Sequence, residues 1–374
     1  MRARDAVLDY QKTNADTATY EKDLDLQDPI SALYLEVEAL NGTSYNKGNF
    51  ISDIVTKIEI VDGSEVLASL NMFELEALQF YKTGVTPTLF PSEWDAGTNR
   101  HGVMLLFGRY VWDQQFALDP AVFRNPQLKV TFNKAAVAAA SDTVAYKTGD
   151  TIKLTVVAKV MENMGSRPGR YLMPRSVKRW TSTSGENRIE LPTDYPYRMM
   201  LLRAYVAGSD IDEVITDLKF TCDTDKYIMF NRKVKQLDAE ALARFGLCTL
   251  KHDIFASDSD TVRLLVNKEP ILSFLNWYTP SNLIMSTHWA WSSQFAPGVF
   301  SYAGTAYGTD VEISVVESGH ALHATLPVVF GLMNDEQTWF NPKDFGKIEV
   351  VATEAVAATC GILLEQVRPN MKVG

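Results

Sequence analysis

The chain has 374 residues, of which 46% are hydrophobic and 22% charged, a globular composition that excludes a disordered polymer and, by length, favours two domains over one sandwich. Its formal net charge of −10, from 36 basic and 46 acidic residues, leaves no global positive field to draw it onto nucleic acid, so no specific nucleic-acid binding is expected. Cys222, Cys248 and Cys360 are too few and too scattered for a disulfide framework or a zinc set and read as buried free thiols.

Residues 1–29 alternate charges with few large apolar groups, which suggests an N-terminal arm ordered only by docking. The polar start carries no apolar signal core, and no run of about 18 apolar residues follows, so a soluble protein made in a cytosol is expected. A first domain over 30–162 opens with period-2 alternation in Leu33–Ala39 and again in Ile51–Val61, patterns of strands with one buried face. Asp62-Gly63 suits a tight hairpin turn. Asn71–Gly84 switches to helical spacing, with Asn71 as N-cap and Gly84 as stop. Thr151–Val160 closes the domain as a strand. Residues 163–188 lose periodicity and gather Gly, Pro, Ser and basic side chains, which reads as a linker. A second domain covers 189–366, and 367–374 read as a tail.

The two domains repeat one another. Asp53–Ile60 matches Glu213–Phe220 in character, with Thr56 against Thr216, and each segment precedes a short helix. The helices share Glu76-Ala77-Leu78 and Glu240-Ala241-Leu242 and stop at Gly84 and Gly246. Phe107-Gly108, Asp113, Pro120, Phe123 and the strand Leu128–Phe132 recur in order as Phe330-Gly331, Asp335, Pro342, Phe345 and Ile348–Ala352. Glycine to Phe-Gly spans 23 positions in the first copy and 84 in the second, so the second carries about 61 extra residues, an insertion at about 247–322. A loop tolerates such a length where a core strand does not. The insertion is therefore expected to leave the second sandwich as a projection, with Thr261–Val266 and Val311–Val316 leading out and back.

An all-β chain of two tandem jelly-roll sandwiches, each with a short inserted helix, resembles the double jelly-roll major capsid proteins of tailless icosahedral viruses, the adenovirus and tectivirus lineage. The resemblance covers residues 30–365 and rests on Ile51–Gly84, Phe107–Asn133, Leu191–Arg198 and Ile211–Gly246. It implies a non-enzymatic structural protein of the virion, synthesised in the host cytoplasm. Its partners would be itself, as a pseudo-hexagonal homotrimer and then neighbouring trimers, and other capsid proteins such as a vertex protein. In many members a membrane lies beneath the shell.

The residues offer little chemistry. His320 and His323 are the one close pair of the five histidines, and a strand would throw them to opposite faces, so structural histidines and no metal are expected. Nucleophile-elbow, phosphate-loop and dinucleotide motifs are missing, and no catalytic residue or cofactor is assigned. Asp223/Asp225 and Asp258/Asp260 do not continue into a calcium loop and read as solvated turns. Arg167, Arg170, Arg175, Lys178 and Arg179 form the concentrated basic stretch, which either faces anionic lipid or genome on an inner face or pairs with the chain's own acids. Trp277, Tyr278, Trp289 and Trp291 lead an aromatic group in the insertion that suits an interface or a local core. The alternative from another class is a carbohydrate-binding or hydrolytic β-sandwich, which would need a site that sequence does not reveal.

Overall fold

The computed structural model describes residues 1–42, 49–90, 97–134, 137, 146–149, 151–256, 261–266, 268–279, 282–284, 294–296, 299–301 and 311–371. One sheet of the first sandwich runs β1 (Arg2–Asn14), β9 (Ile152–Glu162), β3 (Ile30–Leu40), β7 (Thr98–Leu106) and β6 (Thr88–Phe90). The other runs β2 (Thr17–Asp23), β8 (Pro126–Asn133), β4 (Val55–Asp62) and β5 (Glu65–Leu70). Strand β8 shows the physical basis, since its residues are buried and half-exposed in strict alternation, as expected when successive side chains point to opposite faces. Gly63 takes φ +63° in the β4–β5 turn. The Asn71 Oδ1 accepts from Glu74 N at 2.8 Å to start the helix Met72–Thr83, and Gly84 ends it at φ +68°, the left-handed stop that glycine takes without steric cost.

Among the described residues, the second sandwich repeats this order for every strand but β6. Strands β10 (Arg170–Thr181), β24 (Thr359–Pro369), β12 (Tyr197–Tyr205) and β22 (Thr325–Val329) correspond to β1, β9, β3 and β7. Strands β11 (Gly185–Leu191), β23 (Ile348–Glu354), β13 (Ile215–Cys222) and β14 (Tyr227–Lys233) correspond to β2, β8, β4 and β5. Even the irregularities recur, as bulges fall between Ile30 and Ala32 on β3 and between Tyr197 and Met199 on β12. Phe107 N donates to Ser31 O and Phe330 N to Arg198 O, both at 3.0 Å. Asp113 and Asp335 each accept from the amide two residues on. The recurrent glycines have a steric cause, since a Cβ on Gly108 would lie 2.7 Å from Phe116 O and one on Gly331 2.3 Å from Thr338 O.

Four sequence expectations are corrected. Residues 1–29 are not an arm ordered only by docking, because β1 and β2 pair with β9 and β8 as integral strands. The segment 163–188 is not a linker but holds β10 and the start of β11, the counterparts of β1 and β2. The tail does not begin at 367, since β24 continues to Pro369. The helix match is two residues out of register: Val234–Phe245 has the same 12 residues as Met72–Thr83, and aligning the stops Gly84 and Gly246 places Asp238, not Glu240, opposite Glu76.

The insertion builds its own sheets. Strands β15 (Cys248–Ala256), β21 (Val311–His320), β17 (Lys268–Thr279) and β18 (Asn282–Ile284) form one, and β16 (Thr261–Arg263), β20 (Val299–Ser301) and β19 (Gln294–Ala296) the other. The outgoing strand is β15, which pairs with β21 from Cys248↔Gly319 to Ala256↔Val311, while Thr261–Arg263 belongs to the smaller sheet. The root of the insertion packs on the first sandwich, because Cys248, Leu250, Leu265, Val266 and Leu322 join its core.

Candidate functional site

Among the described residues, the most deeply buried ion pairs lie where the two sandwiches meet. The seam is partly backbone, a single parallel bridge between Arg175 of β10 and Ser69 of β5, and partly apolar, with Tyr171, Met173, Met199, Leu201 and Leu363 joining the first core. The helix Met72–Thr83 turns its polar residues into this seam. Lys82 Nζ donates to Glu365 Oε1 at 2.5 Å and to Leu106 O at 3.0 Å, and Arg198 donates to the other oxygen of Glu365. Burial lowers the Lys82 ammonium to about 8. Burial also pushes the Glu365 carboxyl up, but Arg198 and Lys82 outweigh it and hold it below the usual carboxylate range.

Six residues earlier on the helix, Glu76 is fully buried, takes a hydrogen bond from Ser52 Oγ at 2.5 Å, contacts His323 Nε2 and lies 3.5 Å from His101 Nδ1. Burial disfavours its charge, yet the two imidazoles hold its carboxyl well below the ordinary range, while burial lowers the His323 imidazole. A neutral imidazole with its proton on Nε2, donating to an ionised Glu76, satisfies both directions. Asp53 receives both guanidinium nitrogens of Arg263 at 2.6 and 2.9 Å, and Tyr81 Oη donates to Thr325 O at 2.7 Å. Partnered charges of this kind cost much to break and fix one arrangement of the parts they join.

His323 and His101 meet at Glu76, and His320 Nδ1 lies 3.0 Å from Asp238. The space beside the cluster, bounded by Phe73, Arg203, Arg263 and His323, has a volume of about 10 Å³, room for a single water. A second cavity of about 110 Å³ lies between the Val234–Phe245 helix and β22, with Glu240 as the carboxylate in its wall. It is smaller than the several hundred Å³ typical of ligand pockets.

The basic stretch does not form one cluster. Arg170 pairs in register with Pro369 and Arg179 with Gly361, at opposite ends of β10. Arg167 lies 3.2 Å from Asp119, Arg170 2.5 Å from Glu336, Arg175 2.7 Å from Asp194 and Arg179 2.9 Å from Glu74, while Lys178 reaches Asn187 Oδ1 at 3.5 Å. Trp277 and Tyr278 lie on β17, in register with Ile313 and Glu312 of β21; Trp289 and Trp291 lie outside the described residues. The seam residues escaped sequence reading because their partners lie far along the chain; Lys82 of the first sandwich and Glu365 of the second are 283 positions apart.

Fold and seam together define a double jelly roll. No protein-family model matches the sequence, and no curated protein matches it significantly. Solved structures do match over the whole length. The major capsid protein P2 from bacteriophage PM2 is 12% identical with TM-score 0.56, and each chain covers 100% of the other. The STIV MCP is 10% identical with TM-score 0.58, covering 98% of this chain and 96% of its own. The PBCV-1 VP54 structure fitted into a reconstruction of the virophage Sputnik is 9% identical with TM-score 0.58, over 98% and 94%. At these identities the likeness is one of fold.

Proposed function

We propose that the protein is a structural, non-enzymatic major capsid protein that self-assembles as pseudo-hexagonal homotrimers into an icosahedral virion shell. The observation that carries this reading is the match to capsid proteins across the whole chain, both copies of the duplication included. The locked seam supports it, because two sandwiches fixed by buried ion pairs act as one rigid tile. Chains are made in the host cytoplasm and reside in the virion, beside other capsid proteins such as a vertex protein, over a membrane in the manner of many double jelly rolls. The insertion forms the outward projection, with Trp277, Tyr278, Trp289 and Trp291 in its contacts. Within the basic stretch, Arg167 and Arg170 lie toward the end of the second sandwich away from the insertion and are the members suited to an inner face, whereas Arg179 belongs to the seam. Negative-stain microscopy of the purified protein tests the proposal: hexagonal blocks and shell fragments are expected, and small independent particles under all assembly conditions would contradict it.

A further inference from the structure

The seam joins β10 to β5 and leaves their counterparts, β1 and β14, at sheet edges among the described residues, and we propose that these two edges meet between chains: β1 of one copy lies parallel to β14 of the next, repeating the contact that β10 makes with β5 inside one chain. The inference rests on the homotrimer proposed above and names the surface that closes it.

The equivalence is fixed residue by residue. The bulges on β3 and β12 align Val160 with Gln366, and hence Val157 with Leu363. Val7 sits opposite Val157 and Ser176 opposite Leu363, with a bulge following each, so Val7 corresponds to Ser176 and Ala6 to Arg175. Bulges after Ile60 and Phe220 likewise make Ser69 correspond to Asn231. The internal bridge Arg175↔Ser69 therefore has an unused counterpart, Ala6 beside Asn231 of a second copy.

Burial supports this assignment. Tyr171, Leu172 and Met173 of β10 are buried at the seam, while their counterparts Arg2, Ala3 and Arg4 on β1 are exposed. Leu67 of β5 is buried, while its counterpart Met229 on β14 is exposed. Both open edges carry apolar side chains in water, Val7 62% and Tyr10 73% exposed on one, Tyr227 48% and Ile228 46% on the other. Open edges of this kind are templates for pairing with another chain. A contact between two different edges is head to tail, and it must close on itself or run into a filament; closure after three chains gives six sandwiches.

Disulfide trapping tests the edges. Val7→Cys and Arg232→Cys stand one step along from Ala6 and Asn231, and parallel neighbours about 4.8 Å apart fall within the roughly 4.4–6.8 Å that a disulfide spans. The native cysteines are free and buried and do not compete. Oxidation of the full-length double variant should give a reducible ladder that stops at the covalent trimer, and co-expressed single variants should give covalent dimers. Cross-linking of Val7→Cys alone would overturn the proposal in favour of a two-fold contact, and a ladder running past the trimer would overturn closure. An uncross-linked trimer in sedimentation would reject these edges while leaving the trimer standing; an uncross-linked monomer would reject both.

Discussion

Gly331 combines two constraints. It sits at φ +79° with Thr338 O where a Cβ would have to go, so Gly331→Ala must strain the backbone and push the 332–340 loop from β22. Gly108, with Asp113 Cβ 2.6 Å from its missing Cβ, carries the second constraint alone. Both alanine variants should lose stability by roughly 2–4 kcal/mol, the range of steric and special-conformation effects, with Gly331→Ala the worse; a denaturant series in which either loses less than about 0.5 kcal/mol would contradict this. The repeated Phe-Gly was legible in sequence because glycine is the residue that fits, whatever surrounds it. Glu240-Ala241-Leu242 misled for the opposite reason. Those residue types are common in any helix, and the true counterpart of Glu76 is Asp238, each facing a histidine across the fold.

At the scale of elements, β4, β8 and the first helix declared themselves through alternation and caps, whereas β1, β2 and β10 did not. Their charges looked like solvated tail or linker, but edge strands carry charge to pair across to a neighbour: Asp5 meets Lys159 and Glu21 meets Lys129, at 2.7 and 2.8 Å. Pro174 lies within β10, which ends the second sandwich's share of its sheet and meets β5 only through the Arg175–Ser69 bridge, a place where a proline is tolerated. The root of the insertion offers a test at this scale. Glu317 of β21 accepts from the amide of Leu265 at 3.1 Å in full burial, and burial pushes its carboxyl up to about 8 against those amides and Arg263. Because the folded value lies above the ordinary 4.5, the contribution of Glu317 is complete below about pH 4.5 and is lost as pH rises through about 8. Glu317→Gln keeps an acceptor and cannot ionise. Its stability relative to the parent should therefore rise by about 1.4 kcal/mol per pH unit across that window. Parallel pH profiles for the two proteins would refute the shift.

For the whole molecule, the proposed trimer makes the second sandwich stand to the first as each chain stands to the next. The duplication, the Phe-Gly turns and the size of the insertion were readable in order along the sequence. The seam was not, because Lys82, Arg198 and Glu365 are brought together by the packing of two domains. Neither was the open edge of β14, since an edge is defined by what fails to pair with it. Native mass spectrometry of the purified protein checks the proposed trimer: a dominant species at three times the 41.8 kDa chain mass, stable to dilution, is expected, and a dominant single-chain or two-chain species would contradict it.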